Sequence, residues 1–358
     1  MLSAQQKSIK IKLTMDKVNK MGINNIPQIT VIIATKNRAD ALDKICFPPL
    51  LTQTFRNFEV IVWDASTDSA AESVCSGYLH RFEKIGVPFR YYHAPRSGLA
   101  AQRNDAVKRA KGEIIAFFDD DSELSNDAIE VIHQNFISNQ TLRGVEVKVI
   151  RLTNKKPAEK PFALVKKLLL MFFIMDTYDK GKQIVLRSGR HIASQDKKGI
   201  LAEWLSGGSM AYKKEVFTEF SFNERLMKFG GYSLGEDVDF SYRIFKKYPG
   251  SLYIADSGHV IHHAASGGDR TKGKNDVAAR LYFRMVLASY VSEVKKFVLP
   301  CCIWACLGEI LFMFAMNVLL RKEISFAAFT QGVKDAFRAA KESQNKTDNG
   351  LSKQNEYE

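Results

Sequence analysis

Glu113–Asp121 reads EIIAFFDDD. Five consecutive apolar residues, Ile114 to Phe118, have the length and composition of a short strand covered on both faces of a sheet. The run stops at three carboxylates, Asp119, Asp120 and Asp121. Like charges crowded at a strand end are costly unless a cation sits among them. Hard oxygen ligands at this spacing suit Mg²⁺ or Mn²⁺, ions that keep open positions for substrate phosphates. An isolated acidic turn would look the same, so the surrounding chain decides.

Upstream, Gln28–Ala34 (QITVIIA) and Phe58–Trp63 (FEVIVW) are two more buried strands. The first breaks into Thr35-Lys36-Asn37-Arg38 and the second closes on Asp64. Residues 69–84 are expected to be helical and Phe89–His93 a third strand. Ser97-Gly98 then opens a helical stretch, LAAQRNDAVKRAK, with Gly112 as its C-cap. Strands alternating with helices predict an α/β, Rossmann-like, mostly parallel sheet flanked by helices. Ligands of such sheets bind beyond the carboxyl ends of the strands. Thr35 to Arg38, Asp64 and Asp119 to Asp121 all fall on that rim.

Downstream, Asn126–Phe136 reads as a helix and Gly144–Ile150 as a strand, followed by a basic break, KKPAEK, at Lys155–Lys160. Phe162–Met175 (FALVKKLLLMFFIM) is too short to span a bilayer and reads as a core helix or an interfacial one. In WLSGGSM, Gly207 and Gly208 beside Trp204 allow close backbone approach to a ligand. Glu236 and Asp237 open a further helix, where the dipole favours acidic residues. Ser251–Ala255 and His259–His263 suggest two extended pieces, the second ending in His262-His263; imidazole is a common metal ligand. After a helical pattern over Asn275–Phe297, Val298–Leu320 holds a single charge, Glu309, between Lys295-Lys296 and Arg321-Lys322. Its length matches the ~20 residues needed to cross a bilayer. A membrane-associated helix is the expectation, a buried or dimer-forming one the alternative. Phe326, Phe329, Val333 and Phe337 mark a last amphipathic helix.

The chain has 358 residues, 25% charged and 46% hydrophobic, with a net charge of +13. That charge suits an anionic membrane face or phosphorylated substrates. No zinc-finger, RNA-recognition or helix-turn-helix signature accompanies it, so no nucleic-acid partner is expected. Five cysteines without a CxxC pair suit a reducing compartment. The first 25 residues lack the apolar core of a signal peptide and read as a loose arm.

Five motifs in order resemble those of the family 2 glycosyltransferases, inverting enzymes with the GT-A fold: VIIATKNR, the strand-end Asp64, GLAAQRNDAVKRAKGE, the DxD-type FFDDD, and GED at Gly235 to Asp237. The likeness covers roughly Pro27 to Arg270. It implies that Thr35, Asn37, Arg38 and Asp64 hold the nucleotide base and ribose, and that Arg103 and Asn104 bind the donor. It implies that Asp119 and Asp121 hold Mg²⁺ or Mn²⁺ on the donor diphosphate, with Asp120 on the ribose or sugar. Asp237 matches the catalytic base, and His262 or His263 a further metal ligand. Trp204, Gly207, Gly208 and Glu236 are assigned to the acceptor or sugar pocket.

The implied organisation is an arm (1–25), a GT-A domain (26–270) and C-terminal membrane-associated helices (271–343), then a disordered tail (344–358). Within the GT-A domain, 26–150 is the nucleotide-sugar half and 151–270 the acceptor half. The expected activity is metal-dependent transfer from a nucleotide-sugar donor to a lipid-linked or oligosaccharide acceptor, in glycan or cell-surface polysaccharide biosynthesis. The expected place is the cytoplasmic face of the cell membrane, with an oligomer compatible. Two departures stand out. Ala65 replaces a second Asp after Asp64, which leaves the nucleotide open. No QxxRW follows GED, which argues against processive synthesis. The alternatives are a polyprenyl-phosphate glycosyltransferase and a non-catalytic membrane scaffold of the same fold. A nucleotidyltransferase or dinucleotide-dependent oxidoreductase is disfavoured, because ATKNRAD after the first strand offers no glycine-rich loop.

Overall fold

Three apolar runs build the centre of the molecule as strands β1 (Ile29–Thr35), β2 (Phe58–Asp64) and, further on, β4 (Ile114–Asp119). The structure, a computed structural model, describes residues 26–151, 168–174, 181–194, 199–230, 234–263, 274–292, 296–319 and 326–354. The N-terminal arm, the KKPAEK break, much of Phe162–Met175 and the loop after His263 lie outside the described residues.

β1 pairs in parallel on both sides, Thr35 standing opposite Asp64 and Ala34 opposite Asp119. β3 (Phe89–His93) joins the outer edge of β2, with Asp64 opposite His93. The helical segment at residues 39–51 carries the crossover from β1 to β2, and helices α1 (Ala70–Lys84) and α2 (Leu99–Val107) carry those from β2 to β3 and from β3 to β4. Both sheet faces are covered. Ile33, Val60, Val62, Phe47 and Phe82 lie in one core, and Ile32, Ile61, Phe117, Tyr212 and Phe240 in the other. Cover on both faces is why these strands read as nearly continuous apolar runs, the polar pair Thr30 and Glu59 being buried with the Thr30 hydroxyl donating to Glu59 Oε1 at 2.7 Å. Gly112 is no C-cap: α2 ends at Val107. A Cβ at Gly112 would stand 2.5 Å from the backbone nitrogen of Thr30, so glycine lets the chain close onto β1 before β4 begins.

The second half departs from the mostly parallel expectation. It comprises β5 (Ser122–Leu124), α3 (Ala128–Ser138), β6 (Gly144–Arg151), the pair β7 (Ile184–Val185) and β8 (His191–Ile192), β9 (Ile200–Leu201), β10 (Ser209–Lys213), α4 (Glu236–Lys247) and β11 (Leu252–His262). The main sheet runs β3-β2-β1-β4-β10-β6-β11-β5, with β9 on β11. β10 is antiparallel to both β4 and β6, while β11 is antiparallel to β5 and β9 and parallel to β6. The chain between β9 and β10 holds no helix, so no crossover there requires β10 to run parallel. The two extended pieces expected after residue 250 are one strand, irregular between Ile254 and His259.

Helices α5 (Lys274–Ser292), α6 (Val298–Leu319) and α7 (Phe326–Gln354) close the chain. Leu281, Tyr282, Leu287, Cys302, Cys306 and Phe329 form their shared core, with Tyr242 of α4. No helix among the described residues is long and apolar enough to cross a membrane. Glu309, the charge inside α6, is buried, and Arg284 Nε of α5 donates to it at 2.8 Å. A partner this close offsets a desolvation that a lone carboxylate could not bear. Helix α7, which holds no proline, continues to Gln354, past the start expected for a disordered tail.

Candidate active site

The parallel register places the rim residues. Thr35 Oγ1 donates to Asp120 Oδ2 at 2.7 Å, and Arg38 Nη1 donates to Asp120 Oδ1 at 2.8 Å and to Asp121 Oδ2 at 3.4 Å. Asp120 thus turns toward β1, both of its oxygens engaged. Asn37 has φ of 54°, a left-handed conformation that asparagine tolerates better than most residues. Its N–H donates to Ser66 Oγ at 2.7 Å and its Oδ1 accepts from Thr67 N at 3.1 Å, tying the first rim loop to the second. Asp64 is fully buried, accepting from Ser66 N and from the Tyr91 hydroxyl, both at 2.8 Å. It shapes the Ser66–Thr67 loop from beneath.

The other two aspartates face elsewhere. Carboxylate oxygens of Asp119 and Asp121 and a ring nitrogen of His262 all lie within 4.8 Å of one another. His262 Nε2 is 3.3 Å from Asp121 Oδ1 and 3.9 Å from Asp119 Oδ2. Two carboxylate oxygens and an imidazole nitrogen, with Asp121 buried and the other two residues half-buried, could hold a divalent cation, and the carboxylates are ligands that Mg²⁺ and Mn²⁺ favour. Burial pushes Asp119 up to about 6, aided by Asp121 and Asp237 and opposed by Arg103 and Arg38. A divalent ion would reverse that balance. The histidine pair separates: His263 Nε2 lies 2.6 Å from Glu123 Oε2, away from the aspartates.

Asp237 comes to this cluster from α4. Gly235 caps the helix with φ of 75°, and a Cβ there would stand 2.4 Å from the Phe283 ring, so both backbone and space require glycine. Asp237 Oδ2 accepts from Gly207 N at 2.8 Å, and Oδ1 from Val238 N at 2.9 Å. A Cβ on Gly208 would lie 3.5 Å from Asp119 Oδ2. The two glycines therefore form a strip of bare backbone running from Asp237 to Asp119. Arg103, 2% exposed, clamps the arrangement, donating to Glu236 Oε1 at 2.9 Å, and at 3.1 Å to both Asp119 Oδ1 and the Gly207 carbonyl. Burial, with Asp237 alongside, pushes Glu236 up to about 8 against the pull of Arg103.

Two assigned residues lie off this centre. Asn104 bonds the Phe222 backbone in both directions, Nδ2 to its oxygen at 3.0 Å and Oδ1 from its nitrogen at 2.8 Å, bracing that loop. Trp204 is walled in, its indole N–H donating to the Ile192 carbonyl at 3.2 Å and its ring 5.0 Å from His191. Two residues that sequence reasoning missed support the site from behind. Gln102 Nε2 donates to the Thr35 and Trp63 carbonyls, both at 3.0 Å, locking the ends of β1 and β2. Glu146 of β6 accepts from Ser206 N at 2.6 Å and Gln183 Nε2 at 2.9 Å, and burial pushes it up to about 7. A carboxylate inside a strand run was the available signal.

A model described as glycosyl transferase family 2 matches residues 30–217, from β1 past β10. The chain is 30% identical over 114 residues to glycosyltransferase GlyA of Streptococcus pneumoniae, covering 32% of this chain and 16% of that protein. It is 34% identical over 105 residues to poly(ribitol-phosphate) beta-glucosyltransferase of Bacillus spizizenii, covering 28% and 16% respectively. The matched stretch is thus a small part of those relatives' length. The fold is similar to that of S. aureus TarS 1-349, with a TM-score of 0.53 at 15% identity over 87% of this chain and 81% of that one. The same protein in complex with UDP gives 0.52 at 15% identity, over 87% and 80%. The family match takes in more than half of the 358 residues, including both rim loops, the three aspartates and the glycine strip: the chain belongs to glycosyl transferase family 2.

Proposed function

We propose that this protein is a metal-dependent, inverting, non-processive glycosyltransferase. It moves a sugar from a nucleotide-diphosphate sugar to a hydroxyl of a lipid-linked saccharide in cell-surface polysaccharide synthesis, at the cytoplasmic face of the membrane. One observation carries the reading. Asp237 and the Asp119–Asp121–His262 cluster stand at either end of the Gly207–Gly208 backbone, with no side chain between them on that strip.

Asp119, Asp121 and His262 would hold Mg²⁺ or Mn²⁺, which when bound supplies the positive charge that a leaving diphosphate needs. Asp237 accepts the proton of the acceptor hydroxyl as it attacks. Attack from the face opposite the leaving group inverts the anomeric centre, so a single base suffices. The N–H groups of Gly207 and Val238 fix the direction of that carboxylate. Arg103 fixes the spacing between the base and the aspartates by gripping both sides. Thr35, Asn37, Arg38 and Asp64 hold the nucleotide through the two rim loops that they order.

The test is a panel of nucleotide-sugars incubated with the purified chain, with Mn²⁺, Mg²⁺ or a chelator, read as released nucleotide. Metal-stimulated release from one donor is the expected result. No release from any donor under any condition overturns the proposal.

A further inference from the structure

The C-terminal helices leave one face of the molecule apolar. On α6, Leu299, Ile303, Leu307 and Leu311 recur at every fourth residue and are 71%, 60%, 42% and 50% exposed. That spacing draws one stripe along a helix. The opposite side of α6 is occupied: Cys302, Ala305 and Cys306 are buried, and Glu309 is paired with Arg284. The short helical segment at 168–172 widens the stripe with Leu169 and Phe172, 53% and 62% exposed. Trp304 joins the two pieces. Its indole N–H donates to the Phe172 carbonyl at 2.9 Å, and its ring centre lies 5.3 Å from that of Phe172. Gly308 makes room for the contact, since a Cβ there would stand 2.3 Å from the Phe173 ring.

Charge decides what covers this face. Glu309 is the one acidic residue between Val298 and Leu319, and it faces inward. In sequence the helix is bracketed by Lys295-Lys296 and Arg321-Lys322, within a chain of net charge +13. An apolar stripe with basic residues at both ends has the chemistry of a helix lying in the headgroup boundary of anionic lipid. Two copies of the face would bring like charges together, which opposes self-association.

We propose that α6 and residues 168–172 form an in-plane anchor that seats the protein on one leaflet of an anionic membrane. For the acceptor, this inference rests on the function proposed above. The anchoring itself does not. Phe283 of α5 packs beside Gly235, directly before Glu236 and Asp237, and the next residue, Arg284, grips Glu309 of α6. A single helix layer therefore separates the lipid-facing stripe from the proposed base, which suits an acceptor whose tail lies in that leaflet.

The test mixes the full chain with phosphatidylcholine vesicles, with and without phosphatidylglycerol, and reads cosedimentation and tryptophan emission. Binding to anionic vesicles at least about tenfold tighter than to neutral ones is expected. So is a blue shift that Trp304→Phe abolishes, because Trp63 and Trp204 are only 6% and 5% exposed. The double variant Ile303→Glu/Leu307→Glu, with wild-type circular dichroism, is expected to bind at least about tenfold more weakly. Leu299→Glu replaces it if the double variant does not fold. Wild-type binding by the folded variant overturns the anchor. So does a wild-type dimer that the variant dissociates while vesicle binding is unchanged. Donor hydrolysis without vesicles, measured in parallel, reports on the enzymatic reading separately.

Discussion

Gly207 donates its backbone N–H to Asp237 at 2.8 Å while its own carbonyl accepts from Arg103 at 3.1 Å. A residue without a side chain is thus the joint between the strand-end aspartates and the helix that delivers the proposed base. Arg103 bonds Asp119 and Glu236 as well, so the centre is held by one guanidinium and one stretch of backbone.

Gly207→Ala tests that joint. The added Cβ would stand 3.2 Å from Asp237 Oδ2 and 3.3 Å from Arg103 Nη1, tighter than ordinary contact on both sides. A small displacement of a reacting group costs on the order of 100-fold in rate. Steady-state kinetics are expected to show kcat falling by roughly 10- to 100-fold, with a melting temperature close to wild type.

Arg103→Met removes the cation from between Asp119 and Glu236. Breaking a buried pair by deleting one partner costs about 3–5 kcal/mol. Because burial already raises Glu236 to about 8, acid relieves part of that cost by protonating it. Urea denaturation is expected to show a larger loss at pH 8 than at pH 5.

His262→Ala and His263→Ala separate the two imidazoles. His262 stands with Asp119 and Asp121, whereas His263 pairs with Glu123. Even outer partners of a metal ligand are worth about 10- to 100-fold in affinity. Activity titrated against Mn²⁺ is expected to need at least about tenfold more metal in His262→Ala, and an unchanged concentration in His263→Ala.

Glu146 gives the fold a pH dependence. Its pKa, raised from 4.5 to about 7 by burial, makes the folded chain bind this proton more tightly than the unfolded chain, a difference of about 3 kcal/mol. The contribution is full below about pH 4.5 and is lost as pH rises to about 7. Both Ser206 N and Gln183 Nε2 donate to the same oxygen, Oε2, so a glutamine carbonyl can replace it. Chemical denaturation of Glu146→Gln is expected to gain on wild type steadily between pH 5 and pH 7, then to hold its lead.

The first half of the fold was legible because buried parallel strands announce themselves. Val31 to Ala34 and Ile114 to Phe118 are uninterrupted apolar runs, and Thr35, Asp64 and Asp119 mark the carboxyl end of each strand. β10 was not legible. SMAYK is short, and its antiparallel place between β4 and β6 is set by tertiary pairing alone. Glu146 sits in GVEVKVI, where alternation suggests an outward face. Gln183 and Ser206, distant in sequence, are what cover it. Trp204 and its neighbouring glycines read as one ligand pocket, yet the ring points into the core while the glycine backbone meets Asp237. For α6, length and hydropathy suggested a bilayer, and the inward Glu309–Arg284 pair shows that one side of the helix belongs to the protein.

Asp237→Asn preserves the shape of the joint and keeps one accepting oxygen, at the cost of one of the two backbone hydrogen bonds from Gly207 and Val238, while removing the basic carboxylate. Donor binding by calorimetry and single-turnover transfer with the same preparation form the decisive pair. The account predicts donor affinity within a few-fold of wild type and a transfer rate lower by roughly 100- to 10,000-fold. Transfer at the wild-type rate would contradict it.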